Sequence, residues 1–237
     1  MRILVTAGNT QVQIDRVRSI TNIFTGRTGA RIALEAHGQN HAVTLLTSHP
    51  EVVPELAGDR PPTGDRWGMR NYRTYDELEH LMEGEIRPGE YDAVVHCAAV
   101  SDYRSAGVYR WEVGSAEPTL LDRSIGKIKS DEPELWLRLV RLPKLIDRVR
   151  PDWGFTGVLV KFKLEVGIDD FALLAVAESS REHSTANLMV ANTLEGSDAW
   201  AYLGPLEGNY ERVSRADLPR RLLAAITTCQ QRQKRHG

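Results

Sequence analysis

The sequence predicts an α/β fold with a doubly wound, mostly parallel, Rossmann-like sheet. Short apolar runs such as RILVT (2–6), YDAVVHCAAV (91–100) and ANLMVAN (186–192) are typical of buried strands. Segments with helical spacing, such as residues 27–38, alternate with these runs, which favours parallel pairing. The length of 237 residues suits one domain, which we place at residues 1–237.

The other elements follow from the same spacing rules. We expect strands at 41–48, 69–75, 134–141 and 157–165, and helices at 75–84, 142–150, 169–184 and 216–235. Residues 199–203 and 209–214 predict a closing hairpin before the final helix. Residues 8–22 and 49–67 have no sustained period and are expected to be loops, and residues 103–133 predict a long flap.

Composition and charge exclude several classes of function. A net charge of −2 offers no bulk basic field for nucleic acid, and no apolar run approaches the ~20 residues that span a bilayer. The two cysteines suggest a reducing, cytoplasmic location, and the seven histidines show no metal-ligand spacing, so no protein-held metal is predicted. Lysine is rare, with 6 against 24 arginines, yet five of the six fall between residues 127 and 163. Lysine positions in such a chain favour sites that need a compact ammonium.

The segment TNIFTGRTG (21–29) precedes the predicted helix at 27–38. Gly26 and Gly29 indicate a close approach to the backbone, and the free N–H groups of a helix start bind anions. The stretch therefore predicts an anion site, with a plain surface loop as the alternative.

An oxidoreductase that binds NAD(P) is another candidate, because VTAGNTQ and HCAAVSDY resemble short-chain dehydrogenase segments. The dinucleotide fingerprint, however, needs its glycines in one tight turn, whereas Gly8 and Gly26 are 18 residues apart. The Tyr-x-x-x-Lys motif of those enzymes is also absent from the sequence.

Six motifs occur in order along the chain: VTAGNTQVQIDRVRSITNIFTGRTG, AAVSDYR, GKIK, RLPKLI, VKFKLE and LMVAN. In these the chain resembles the phosphopantothenoylcysteine synthetase family. The resemblance implies a ligase that joins 4′-phosphopantothenate to cysteine in coenzyme A biosynthesis, through an acyl-nucleotidylate formed from ATP or CTP. It further implies Mg²⁺ bound with the nucleotide, a homodimer, and a synthetase without the flavin-binding domain that many bacterial forms carry.

The same resemblance implies roles for particular residues. Asn22 and Lys127 would be catalytic: Asn22 would contact the acyl intermediate, and the Lys127 ammonium would meet charge that develops on phosphate and acyl oxygens. Residues expected at the substrate phosphate are Arg18, Thr25, Gly26 and Gly29. Residues expected at the nucleotide, besides Lys127, are Gly8, Asn9, Thr10, His96, Cys97, Ala98, Asp102, Val140, Arg141, Leu142, Pro143 and Phe162.

The chain departs from the family pattern at three positions. Phe24 stands where the family has a serine. Ser180 and Ser184 stand where CTP-using enzymes carry two lysines, and with VKFKLE and RLPKLI this favours ATP over CTP. An alternative function is therefore a nucleotide-binding protein of the same fold with lost or altered ligase chemistry.

Overall fold

The structure is a computed structural model that describes residues 1–111, 114–121, 127–129 and 131–236. The main sheet has eight strands in the spatial order β13-β12-β11-β10-β6-β1-β4-β5. Six strands are parallel and the two at one edge are antiparallel, which confirms the predicted doubly wound sheet and closing hairpin. The parallel strands are β1 (Arg2–Ala7), β4 (Ala42–Thr47), β5 (Trp67–Asn71), β6 (Ala93–His96), β10 (Val158–Glu165) and β11 (Leu188–Thr193); the antiparallel ones are β12 (Trp200–Leu206) and β13 (Asn209–Ser214).

Helices cover both faces of this sheet. The helices are α1 (Arg27–Gly38), α2 (Val52–Ala57), α3 (Tyr75–Ile86), α4 (Leu145–Arg148), α5 (Asp170–His183) and α6 (Leu218–His236). Apolar residues of α1, α2 and α6 pack on one face, and those of α3 and α4 pack on the other. Helix α5 adds a smaller cluster with β11. Because the central strands are buried on both faces, their sequences are continuous apolar runs.

Three segments differ from the sequence predictions. The predicted loop at 8–22 contains a two-stranded hairpin, β2 (Gln11–Gln13) with β3 (Ser19–Thr21), and the predicted loop at 49–67 contains α2. The predicted flap forms a separate three-stranded sheet, here called the flap sheet, of β7 (Tyr103–Arg110), β8 (Thr119–Leu121) and β9 (Trp136–Arg141). Its strands pair over long sequence distances, which periodicity within one segment does not report.

Candidate active site

Two neighbouring cavities lie beyond the carboxyl ends of β1, β6 and β10, where ligands bind in doubly wound sheets. Cavity A has a volume of about 390 Å³ and cavity B one of about 370 Å³. Cavity A includes Gly8, Thr25, Gly26, Cys97, Ala98, Phe162 and Arg215 in its wall; cavity B includes Asn22, His96, Ala98, Asp102, Pro143, Lys161 and Phe162. The shared wall of the two is formed by Phe24, Ala98, Ala99, Phe162, Lys163 and Leu164.

The glycines before α1 are required first by packing against β1. Gly26 has a φ of +79°, and a Cβ there would lie 2.1 Å from the backbone nitrogen of Gly8. A Cβ on Gly29 would lie 2.7 Å from the Cβ of Ala7. The close approach predicted from the sequence is thus made by the protein's own backbone. Gly26 still lines cavity A, whereas Gly29 lies beneath the wall.

Asn9 and Thr10 support the cavities and do not line them. The buried side chain of Asn9 donates from Nδ2 to the carbonyl oxygens of Asn22 and Phe24, each at 2.8 Å. Thr10 is fully buried and exchanges hydrogen bonds with Ser101. These bonds fix the course of the 22–24 loop, which presents Asn22 to cavity B.

Asn22 and Phe24 lie on this loop, between the hairpin and α1. The amide of Asn22 donates from Nδ2 to the carbonyl oxygen of Ala99 at 3.0 Å, which holds the side chain against the end of β6. Phe24 lines both cavities. Because a phenyl ring donates no hydrogen bond, any phosphate contact at position 24 would have to use the backbone.

Two groups at the end of β6 are held in their neutral forms. Burial, followed by the nearby Lys161 ammonium, lowers the pKa of His96 to about 4, and its Nδ1 lies 3.0 Å from the hydroxyl of Thr6. Burial raises the pKa of Cys97 to about 12. At neutral pH this part of the wall therefore carries an uncharged imidazole and a protonated thiol.

Lys161 brings a positive charge to the helix positions that lack lysine. Its Nζ donates to the carbonyl oxygen of Ser180 at 2.9 Å and to the hydroxyl of Ser184. The carboxylate of Asp147 lies 4.0 Å away. The charge reaches this position from the neighbouring strand β10, and the clustering of lysines was the sequence signal for it.

Arg215 is a site residue that the sequence analysis missed. It lies between β13 and α6, lines cavity A, and donates to the hydroxyl of Thr28 in the first turn of α1. Burial lowers the pKa of the guanidinium, although arginine stays charged at neutral pH. No local motif marks it, because Thr28 is 187 residues away in the sequence.

Several predicted site residues lie outside cavities A and B. Arg141 and Leu142 line an adjoining groove between α4 and α5, and Pro143 lines both that groove and cavity B. Residues that line none of these spaces are Asn9, Thr10, Arg18, Gly29, Lys127 and Val140.

Lys127 and Arg18 lie at the contact between the β2–β3 hairpin and the flap. Asp15 accepts two hydrogen bonds from the Arg18 guanidinium and one from the backbone N–H of Ile128 at 3.1 Å. Arg18 also donates to the carbonyl oxygen of Ile128 at 3.0 Å. Arg18 is thus engaged in an ion pair, and the structure does not bring the exposed Lys127 to Gly26.

The carboxylates of the two cavities are Asp198 in cavity A and Asp102 in cavity B. Within the described part of the chain, no group of three or more His, Cys, Asp and Glu side chains is arranged to hold a metal ion. Single carboxylates fit a Mg²⁺ ion that is held mainly by substrate phosphates. The search for membrane spans, over the described residues, finds no helix with the length and apolar character to cross a bilayer.

The fold and the two cavities define a Rossmann-like α/β protein with a ligand cleft at the strand ends. Residues 1–202 match the DNA/pantothenate metabolism flavoprotein C-terminal domain, and the chain belongs to that family. This confirms the family assignment made from the six motifs.

Relatives and solved structures agree with this assignment. The chain is 35% identical over 195 residues to the coenzyme A biosynthesis bifunctional protein CoaBC of Thermococcus kodakarensis, covering 82% of this chain and 41% of that protein. It is 29% identical over 173 residues to the CoaBC protein of Escherichia coli, covering 73% of this chain and 37% of that one. The chain therefore spans about two fifths of the length of these curated relatives.

The structural comparisons cover nearly the whole chain. The DNA/pantothenate metabolism flavoprotein from Streptococcus pneumoniae matches with a TM-score of 0.80 and 28% identity, over 96% of this chain and 99% of that one. A Cab2 mutant in complex with phosphopantothenate-cysteine matches with a TM-score of 0.74 and 17% identity, over 99% of this chain and 88% of that one. At that identity the second match supports the fold alone.

Proposed function

We propose that this chain is a phosphopantothenate–cysteine ligase. The observation that carries the proposal is the convergence of motif residues on cavities A and B in a member of this family. Asn22, Ala98 and Phe162 come from three separate motifs and meet there. The CoaBC relatives act in coenzyme A biosynthesis, and one structure of the same fold holds phosphopantothenate-cysteine, which supports this substrate class.

The proposed reaction has two steps. The carboxylate of 4′-phosphopantothenate attacks the α-phosphorus of ATP or CTP, and pyrophosphate leaves with the bond electrons. The amine of cysteine then attacks the acyl carbon, loses a proton, and releases the nucleoside monophosphate. Mg²⁺ would offset charge on the nucleotide phosphates when it is bound with them.

The residues have distinct tasks in this proposal. Asn22 offers an amide to the acyl group without adding charge. Thr25, Gly26 and Arg215 line cavity A, where a guanidinium and a helix start suit phosphate oxygens. His96 and Cys97 are neutral, so they leave a base or ribose free of local charge.

A catalytic role for Lys127 requires a rearrangement. Its loop is held at Asp15 through Ile128, away from both cavities. Either this loop leaves Asp15 when substrates bind, or a second copy places its own loop over the cleft. The second route agrees with a homodimer, which we also propose, and which the exposed Trp111 and Trp136 of the flap region support. The free thiols of Cys97 and Cys229 support a cytoplasmic location.

The test is pyrophosphate release by the purified chain with 4′-phosphopantothenate, cysteine, Mg²⁺ and either nucleotide. We expect release that depends on 4′-phosphopantothenate, and formation of the cysteine conjugate by mass spectrometry. A comparison of kcat/KM for ATP and CTP gives the nucleotide preference, for which we expect ATP.

Matched variants sharpen this test. Asn22→Ala should lower kcat/KM by a factor on the order of 100, the scale of one lost contact to a developing charge. Asn209→Ala, at an exposed turn, is the control and should leave kcat/KM unchanged. Lack of pyrophosphate release with both nucleotides would contradict the ligase and favour a family member with altered chemistry, consistent with Phe24.

A further inference from the structure

A groove of about 1030 Å³ lies between α4 and α5, next to cavity B. Lys161 and Lys163 of β10 line both the groove and cavity B, and Pro143 and Lys144 do the same from the start of α4. A ligand in cavity B could therefore extend a charged group into the groove without crossing a barrier of protein.

The walls of the groove are strongly basic. Its lining contains five lysines and arginines and the single carboxylate of Asp147; the basic residues are Arg141, Lys144, Arg148, Lys161 and Lys163. Two of the five are paired outside this set: Arg148 with Glu79 and Asp152, and Lys163 with Glu165 at 2.8 Å. An excess of positive charge remains around Lys144 and Lys161.

Lys161 is the fixed point of this charge. Its side chain is 8% exposed, and alternation along β10 places it on the same face as Lys163. The carbonyl oxygen of Ser180 and the hydroxyl of Ser184 are partners for two of its three N–H donors.

The ammonium of Lys161 is incompletely compensated. Burial comes first among the causes that lower its pKa, and Lys144 and Lys163 lower it further, against the opposing effect of Asp147. Asp147 is itself shared, because its other carboxylate oxygen lies 3.4 Å from His183. A buried ammonium beside two further ammonium groups is stabilised when an anion joins it.

We propose that Lys144, Lys161 and Lys163 bind a phosphate group of a substrate in this groove. Compact ammonium groups suit a phosphate that is met as a point charge, which accounts for lysine at these positions in an arginine-rich chain. The identity of the substrate rests on the proposed function, which supplies two sources of this group: the nucleotide polyphosphate and the phosphate of 4′-phosphopantothenate.

Calorimetric titration of the full chain tests this assignment. Inorganic pyrophosphate, ATP, CTP and 4′-phosphopantothenate are titrated separately into the wild type and into Lys161→Met, with Lys234→Met on the exposed end of α6 as the matched control. We expect Lys161→Met to weaken pyrophosphate and at least one substrate tenfold or more, and Lys234→Met to weaken none. Loss for the nucleotides alone assigns the groove to the polyphosphate; loss for 4′-phosphopantothenate alone assigns it to that substrate.

A second variant protects the test against misfolding. If circular dichroism shows that Lys161→Met is unfolded, the double variant Lys144→Gln/Lys163→Gln replaces it, because Lys144 is exposed and Lys163 partly so. Unchanged affinity for all four ligands in a folded variant, or no pyrophosphate binding by the wild type, overturns the proposal. Product formation with unchanged affinities would refute the groove and keep the ligase; lysine-dependent pyrophosphate binding without product would refute the ligase and keep the groove.

Discussion

The main sheet and the flap sheet bury their apolar residues to very different extents. In the main sheet, β1, β6 and the first half of β10 are almost fully buried between two layers of helices. In the flap region, large apolar side chains are left at the surface: Tyr103 at 49%, Trp111 at 38%, Leu120 at 60%, Trp136 at 50% and Leu139 at 45% exposure. Burial of apolar surface is the main favourable contribution to folding, so the flap sheet adds little to the stability of the chain.

The two sheets are also held by different forces. Main-sheet residues are fixed by packing so close that a Cβ cannot be added at Gly26. The flap is fixed to the hairpin by polar contacts, where Asp15 binds Arg18 and the backbone of Ile128, and the Arg18 guanidinium holds the pKa of Asp15 well below its usual range. Ordered contacts of this kind are local and reversible, which suits a segment that must move for Lys127 to reach the cleft.

The largest expected effect comes from filling the close contact in the main sheet. Gly26→Ala places a methyl group against the backbone of Gly8 at a φ of +79°. Overpacking and left-handed strain together should lower the free energy of unfolding by about 4 kcal/mol. Urea denaturation measures this, with Gly64→Ala as control, because Gly64 has a φ of +85° but open space around it. Equal losses in the two variants would show that conformation alone, and not the close contact, requires the glycine.

The second prediction concerns pH and also acts on the main sheet. His96 has a pKa of about 4 in the folded chain, against an ordinary value near 6.5. As pH falls from 6.5 towards 4, the unfolded chain takes up a proton at this residue before the folded chain does. The free energy of unfolding should therefore be fully supported above pH 6.5 and fall by up to about 3 kcal/mol at pH 4.

Urea unfolding at pH 7.5, 5.5 and 4.5 checks this, with His96→Gln to isolate the group. The variant should lose less stability over this range than the wild type, because it cannot titrate there. Asp15 does not interfere, since its lowered pKa removes stability only below the range of an ordinary aspartate. Parallel curves for wild type and variant would refute the depressed pKa of His96.

The sequence was a good guide wherever one segment carried its own signal. The β1 and β6 runs are long, apolar and bounded by glycine or polar residues, and α1 was predicted at its observed bounds of 27–38. Motif spacing also led to Asn22, Ala98 and Phe162, which the structure brings together at the cavities. These features depend on local period and on strand ends, both of which are readable from the residues in order.

The features that were missed depend on contacts between distant segments. Strand β7 pairs with β8 and β9 and shows no clear alternation of its own, so its residues read as an excursion. Asp15 looked like one acidic residue in a loop, but its partner Ile128 is 113 residues away. The same distance effect explains why Lys127 was expected at Gly26: a motif gives the residue type and not the position of the loop that carries it.

The smallest expected effect on stability tests the exposed surface of the flap region. Trp136 and Trp111 lie with ring centroids 5.4 Å apart and both are partly exposed. Trp136→Ser should change the free energy of unfolding of a single copy by less than about 0.5 kcal/mol, because the ring packs on little of the protein. If the proposed homodimer uses this surface, sedimentation velocity at micromolar concentration should nevertheless show the variant shifted from dimer to monomer. Phe171→Ser is the matched control, since Phe171 is 86% exposed on α5, away from the flap sheet. A wild type that sediments as a monomer, or a Trp136→Ser variant that stays dimeric, would mean that the apolar surface of the flap region does not join two copies, and Lys127 would then have to reach the cleft of its own chain.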